Sequence, residues 1–295
     1  MFILKRMIVS ILLLILVLVF FTFINIMSNG KVKNAIGKGK IINNGEINIH
    51  YNVSDHGEKI ILVASAGRPV SDFNELIETL NNAGFSTIAV EHRGIKNSKG
   101  TNYKNINLFD LAEDIEKVID QETKHDEKVI LIGHAFGNRV VRSYSSMNGN
   151  KVSSLILIQS GGQVPPRDQK ATNALFNSFY TFLPKFWRTK QVKYAFFADN
   201  NDVPKHWISG WHISTARMQG KAVKNTDINK YISGGSAPML IIQGKNDRIA
   251  PPENATILKD KFKDRVQVVM IDSMGHAGLP EQPESISKAI LDFLN

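Results

Sequence analysis

Apolar and polar positions along this chain follow two rhythms. From residue 41 onward, short apolar runs bounded by turn residues alternate with stretches whose apolar residues fall three and four apart. The first kind reads as strands and the second as amphipathic helices. Ile41-Ile42 and Ile47 to Val53 flank Asn43-Asn44-Gly45, the pattern of a hairpin. Lys59 to Ala64, Ser86 to Glu91, Lys128 to Gly133, Val152 to Gln159, Pro238 to Gln243 and Val266 to Ile271 predict further strands. Helical patterns cover Asp72 to Ala83, Asn107 to Gln121, Phe136 to Met147, Pro251 to Phe262 and Pro283 to Leu294. Strands alternating with helices imply βαβ units: an α/β class with a mostly parallel central sheet and helices on both faces.

Two segments break the rhythm. Met7 to Met27 is a 21-residue run interrupted only by Ser10, Thr22 and Asn25, with Lys5 and Arg6 before it. It is long enough to cross a bilayer as a helix. No small-residue cleavage site follows, so residues 1–27 read as an uncleaved transmembrane signal anchor. Residues 28–40, rich in Gly, Lys and Asn, read as a linker. The second interruption is 165–235, rich in Phe, Trp and Lys and without βα alternation. It reads as a helical cap inserted between two core segments, 41–164 and 236–295. Ligands of open α/β sheets sit at the carboxyl ends of the strands, where this insertion begins and which it would roof. Lys5 and Arg6 favour a cytoplasmic N-terminus, while Lys31, Lys33, Lys38 and Lys40 pull the other way. The export-like leader decides for a single-pass protein of the cell membrane with its body extracytoplasmic.

Charge sharpens the role of the cap. Of 295 residues, 36 are Lys or Arg and 27 Asp or Glu, a formal net charge of +9. Residues 165–235 hold 11 basic and 4 acidic residues, a surplus of seven, and the leader adds two. A basic insertion without any recognisable RNA or DNA module argues against a nucleic-acid partner. It suits either a solvated face or anionic headgroups beside the anchor. With no cysteine in the chain, thiolate nucleophiles, iron–sulfur clusters and Cys-based zinc sites are excluded. The remaining histidines (His50, His56, His92, His125, His206 and His212) show no ligand spacing, so no metal or other cofactor is implied.

The strongest chemical signal is Gly133-His134-Ala135-Phe136-Gly137, between a strand and a helix. A G-x-S-x-G there is a nucleophile elbow, whose glycines allow a sharp turn that presents the central side chain above the sheet. Downstream, Asp247 follows one strand in Gly244-Lys245-Asn246-Asp247, and His276 follows the last in Met274-Gly275-His276. Elbow, acid, histidine is the chain order of that fold's triad.

On these motifs, with Glu91-His92-Arg93-Gly94 and Gln243 to Pro251, the chain from about residue 41 to 295 resembles the α/β-hydrolase fold. The reading Gly-His-Ala-Phe-Gly-Asn resembles a branch of the family in which alanine occupies the elbow. The resemblance implies His276 as general base, Asp247 as its orienting acid, and an oxyanion hole from the amides of Phe136 and of Ala66 or Gly67. Two positions depart from the pattern. Ala135 stands where the nucleophile belongs, and its methyl group cannot attack a carbonyl. The oxyanion loop reads Ala64-Ser65-Ala66-Gly67-Arg68 rather than beginning His-Gly, which makes Ser65 a substitute nucleophile candidate. The cap aromatics, among them Phe176, Phe182, Trp207 and Trp211, suit an apolar ligand tunnel over the elbow. The implied activity is hydrolysis of a small apolar ester, lactone or related carbonyl compound. The alternatives are an inactive ligand-binding or sensing relative and a lyase- or oxygenase-like enzyme.

Overall fold

The computed structural model describes residues 2–29, 33–43, 45, 47–54, 56–100, 103–180 and 183–295. Asn44 of the expected hairpin turn, residues 30–32 of the expected linker and Phe182 lie outside the described residues. Eight strands form one sheet: β1 (Lys38–Asn43), β2 (Asn48–Ser54), β3 (Lys59–Val63), β4 (Ser86–Val90), β5 (Val129–His134), β6 (Val152–Ile158), β7 (Met239–Gly244) and β8 (Val266–Ile271). Their order is β1-β2-β4-β3-β5-β6-β7-β8; β2 is antiparallel to β1 and β4, and the rest pair in parallel. This is the α/β-hydrolase fold that the motifs implied. Every residue of β4, β5 and β7 is buried, the consequence of covering both faces of a parallel sheet. Strand β1 differs. It is an edge, with Lys38 and Lys40 exposed or half-exposed, a pattern that discourages pairing with another chain.

The helices sort by face. Helix α2 (Asn74–Asn82) and α9 (Pro283–Leu294) pack Leu76, Ile77, Leu80, Ile286 and Ile290 onto one side. Helices α3 (Leu108–Glu122), α4 (Gly137–Met147) and α8 (Glu253–Phe262) cover the other with Leu111, Ile115, Val140, Val141 and Leu258. Asn107 caps α3: its side chain accepts from Phe109 and Asp110 while Asp110 receives the Asn107 amide. A 3-10 turn at Val70–Phe73 takes the first residues expected of α2, which therefore starts at Asn74.

Among the described residues three α-helices lie between β6 and β7: α5 (Gln169–Ser178), α6 (Lys185–Phe196) and α7 (Ile213–Lys224). Their core gathers Ala174, Phe179, Val192, Phe196, Phe197, Trp207 and Trp211. At the other end of the chain, α1 (Phe2–Asn29) contains a 22-residue apolar span, Ile3–Ile24, none of it buried against the body. Its length and composition suit a membrane-crossing helix or a signal sequence. Beyond it the backbone docks early. Asn74 donates to the Asn34 carbonyl at 2.8 Å and accepts from the Ile36 amide at 3.2 Å. Strand β1 then begins at Lys38, inside the stretch expected to be linker.

Candidate active site

The turn from β5 into α4 is set by what glycine lacks. A Cβ on Gly137 would lie 2.0 Å from the Val63 carbonyl oxygen, and one on Gly133 2.6 Å from the Asn138 amide nitrogen. Only glycine fits either place. Between them Ala135 takes φ +50°, its amide tied to the Ile158 carbonyl at 2.9 Å. This is the geometry of a nucleophile elbow, with a methyl group at its summit.

Asp247 and His276 meet beside it. His276 Nδ1 and Asp247 Oδ2 are 2.8 Å apart, and both side chains are buried. The other carboxylate oxygen accepts from the Ile249 and Ala250 amides at 2.8 and 2.7 Å, and Gln243 donates to Oδ2 at 3.3 Å. So held, the carboxylate fixes the imidazole with Nδ1 toward it. Among the described residues no hydrogen bond reaches His276 Nε2.

Three further side chains position this pair, His134 of the elbow motif among them. His134 donates from Nε2 to the His276 carbonyl at 3.0 Å; burial pushes His134 down to about 4, so it stays neutral near pH 7. Gln159 accepts from the Gly244 amide at 2.9 Å and donates to the Gly275 carbonyl, joining the acid and histidine strands. Glu281 receives the Gly275 and Gly278 amides on one oxygen (2.9 and 3.0 Å), and the Ala198 amide and Asn201 Nδ2 on the other (2.7 and 2.8 Å). It thereby clamps the histidine loop to the cap. Burial raises its carboxyl above the usual range.

The oxyanion loop is braced just as closely. His92 Nε2 lies 2.8 Å from the Ala64 carbonyl, and burial lowers His92 to about 4. Arg68 forks onto Asp72 at 2.7 and 2.8 Å. The amides of Phe136 and Ala66 have no hydrogen-bond partner among the described residues. Gly67 corrects the expectation for its own amide: that N–H donates to buried Gln219 Oε1 at 2.8 Å and is spent on holding the loop to α7. Ser65 lines the cavity, but no hydrogen bond joins it to His276 among the described residues, so the two do not form a nucleophile–base pair here.

Above the elbow lies a cavity of about 500 Å³, walled by Ser65, Ala66, Ala135, Phe136, Phe179 and His276 with others. A second, of about 290 Å³, opens on the far side of Ala66 and Phe136 and is almost wholly apolar, with Leu175, Phe176, Ile213 and Val223 in its walls. Phe176 therefore lines the second cavity, whereas Trp207 and Trp211 line neither. Trp207 is fully buried and Trp211 nearly so. Both stack on the Arg68 guanidinium, 4.4 and 4.7 Å from their ring centres, and so stiffen the oxyanion loop from behind. Phe179, Phe196 and Leu175 take the wall positions expected of the tryptophans. Among the described residues no group of three or more His, Asp or Glu side chains is arranged to hold a metal ion.

Sheet order, elbow, acid strand and histidine loop together define an α/β-hydrolase. The family model described as serine aminopeptidase S33 matches residues 55–283, and the chain belongs to that family. It is 24% identical over 84% of its length, and 92% of the relative's, to 2-hydroxy-6-oxononadienedioate/2-hydroxy-6-oxononatrienedioate hydrolase 1 of Pseudomonas putida. Among solved structures it resembles a membrane phospholipase A described as a bacterial virulence factor (TM-score 0.70, 15% identity, 98% of both chains). It also resembles the enol-lactonase of Burkholderia xenovorans LB400 (TM-score 0.70, 17% identity, 86% of this chain and 99% of the other).

Proposed function

We propose that this protein is a membrane-anchored hydrolase of a small, largely apolar ester, lactone or related carbonyl compound, working by general-base attack of water. The carrying observation is the His276–Asp247 pair at 2.8 Å, with Nε2 unpartnered among the described residues, beside a cavity whose floor holds the Phe136 and Ala66 amides. In this reading His276 Nε2 takes a proton from a water lying where a seryl oxygen would otherwise sit. The water oxygen adds to the carbonyl carbon, and the resulting oxyanion is received by the Phe136 and Ala66 N–H groups. Asp247 stabilises the imidazolium, which returns its proton to the departing oxygen as the carbon–oxygen bond breaks. Relatives named as an oxo-dienedioate hydrolase and an enol-lactonase are consistent with a compact carbonyl substrate.

One observation favours a second reading, a ligand-binding relative that has given up turnover: the methyl group of Ala135. The test is hydrolysis of 4-nitrophenyl butyrate and a γ-lactone by the full chain in detergent. Turnover that disappears in His276→Ala, without labelling of residue 135 by a fluorophosphonate, supports the hydrolase. Absence of turnover together with a lipid or metabolite retained through purification supports the binder.

The membrane assignment extends to the cap. Lys33 lies 4.0 Å from Glu75 and shares a crevice with His206 of the cap and Leu279-Pro280 of the histidine loop. Three residues separate Lys33 from the end of α1 at Asn29. They can span about 14 Å at most. This supports an anchor that meets the body beside the cap and the histidine loop. On the cap, Phe176, Phe186 and Trp187 are exposed at 58%, 70% and 38%, with exposed Lys170, Lys185 and Lys190 nearby in sequence on α5 and α6. Aromatic rings among lysines suit an anionic bilayer surface. In this reading the body is extracytoplasmic, the side that an export-like leader preceded by Lys5 and Arg6 favours.

A further inference from the structure

Arg139 stands four residues beyond the elbow alanine, on the first turn of α4, and lines the larger cavity together with Gly161 and Gly162. Its guanidinium lies against Gly162: a Cβ there would be 2.9 Å from Nη1 and 3.2 Å from Nη2. Nη1 donates to the Tyr231 hydroxyl at 2.8 Å. Among the described residues the guanidinium makes no other hydrogen bond and meets no carboxylate. Arg142, one turn further along, is fully buried behind the same wall. It donates to the Asn138 and Gly161 carbonyls at 3.1 and 3.3 Å, sits 5.5 Å from the Tyr231 ring, and leaves Nη1 without a partner. Burial pushes Arg142 down to about 10, so it remains a cation at neutral pH.

Elsewhere near the site this chain matches its buried guanidinium groups with acids, Arg68 with Asp72 and Arg93 with Asp114. Arg188, deep in the cap, also lacks a carboxylate, but it lines neither cavity. Arg139 and Arg142 are thus two cations flanking a cavity wall, and among the described residues lining either cavity there is no Asp or Glu. Arg142 is fully buried and Arg139 half-buried, and an unmatched buried cation is costly unless an anion arrives to meet it. A guanidinium edge, planar and rich in donors, is shaped for an oxyanion rather than for a neutral group.

We propose that Arg139, backed by Arg142, forms a subsite for an oxyanion, a carboxylate or a phosphate, carried on the apolar body of the molecule whose carbonyl group faces His276. The ligand class narrows accordingly, from apolar carbonyl compounds to those with an acidic end: half-esters, oxo acids or lactones bearing a carboxylate, or phosphate-bearing esters. Arg139 is a specificity residue in this scheme, because it would touch the substrate away from the reacting atoms. The Gly161–Gly162 turn lets the anion approach the guanidinium without a side chain intervening.

This proposal rests on the reading that the large cavity holds the substrate, and it is tested by binding rather than turnover. Calorimetric titration of the full chain in detergent micelles would compare 4-phenylbutyrate, 3-phenylpropyl phosphate and the neutral 4-phenylbutanamide. The expected result is that at least one anion binds about ten- to a hundredfold tighter than the amide, as hydrogen bonds to a charged group predict. Which anion it is separates carboxylate from phosphate recognition. Arg139→Gln should abolish the preference while leaving the weak binding of the amide, and Arg139→Lys should keep part of it. His276→Ala should retain the preference even if it hydrolyses nothing, so a failed hydrolase reading would not be mistaken for a failed subsite. Equal binding of all three compounds by the unaltered chain, no binding of any, or a preference that survives Arg139→Gln would overturn the proposal. Arg139→Lys with a native melting profile guards against loss of folding as the cause.

Discussion

At Ala135 the backbone holds φ at +50°, a conformation that costs a residue with a Cβ about 1–2 kcal/mol. A methyl group gains nothing locally from it. The strain persists because Gly133 and Gly137 leave the turn no other path, and because His276, Asp247 and the free amides of Phe136 and Ala66 are arranged around its summit. The turn is therefore complete except for one oxygen atom. Ala135→Ser should restore that atom next to a base already in place. In serine proteases, loss of a triad member leaves only a residual rate about 10³–10⁴-fold above that in water. Restoring the nucleophile regains what such a loss removes, so the expected outcome is fluorophosphonate labelling at residue 135 and ester turnover raised by at least about 10³-fold, within the roughly 10⁶-fold that a seryl nucleophile contributes in subtilisin. Lack of labelling in a folded Ala135→Ser protein would show that His276 or the amides do not reach the seryl oxygen. Ala135, Asp247 and His276 were legible in the sequence because each sits at a fixed offset from a strand end. Gln219 was not, because its bond to Gly67 links residues 152 positions apart and no local pattern marks it. Trp207 and Trp211 misled for a related reason. Their exposure depends on where Arg68 lies, and only the folded chain shows the guanidinium between them and the oxyanion loop.

Among the elements, β5, the elbow and α4 form the unit on which the site depends. The contact between Gly137 and the Val63 carbonyl brings α4 against β3 closely enough for the helix to begin directly beneath the cavity. Gly137→Ala would drive a methyl group into that oxygen. Neither partner can retreat, since Val63 is in the middle of the sheet and Gly137 in the first turn of a buried helix. The expected result is a loss of about 3 kcal/mol or more, read as a drop of roughly 10 °C in the thermal midpoint. Gly149→Ala, at an ordinary 4.0 Å distance from its nearest side chain, should change the midpoint little. Strands and helices of the core could be located from sequence within a few residues, because burial on both faces of a parallel sheet requires continuous apolar runs. The stretch between β6 and β7 could not be resolved into α5, α6 and α7. Phe186 and Trp187 begin α6 exposed while Val192, Ala195 and Phe196 are buried later on, so no clean helical period survives.

For the molecule as a whole, the question is which way the cap faces. If α1 crosses a bilayer, as proposed, the body stays close to it, and the crevice that holds Lys33 includes both His206 and Pro280. If α1 is a membrane anchor, as proposed, the cap lies near the bilayer, and Phe176 in the wall of the 290 Å³ cavity is within its reach. If the cap rests on the bilayer, Trp187 enters the headgroup region while Trp207 and Trp211 stay buried in the cap core. The chain has three tryptophans, so quenching by brominated lipids reads Trp187 almost alone. In vesicles rich in anionic lipid, the full-length protein should show strong quenching. Vesicles of neutral lipid should give less, as should high salt, because headgroup attraction to surface lysines is screened beyond about 8–10 Å at physiological ionic strength. Lys185→Glu combined with Lys190→Glu should reduce quenching in anionic vesicles toward the neutral-lipid level without releasing the protein, which α1 still holds. A Trp187 signal indifferent to bromine position, lipid charge and both substitutions would turn the cap away from the membrane. The basic surplus of residues 165–235 would then serve the solvated face, and the ligand would have to reach the cavity through water.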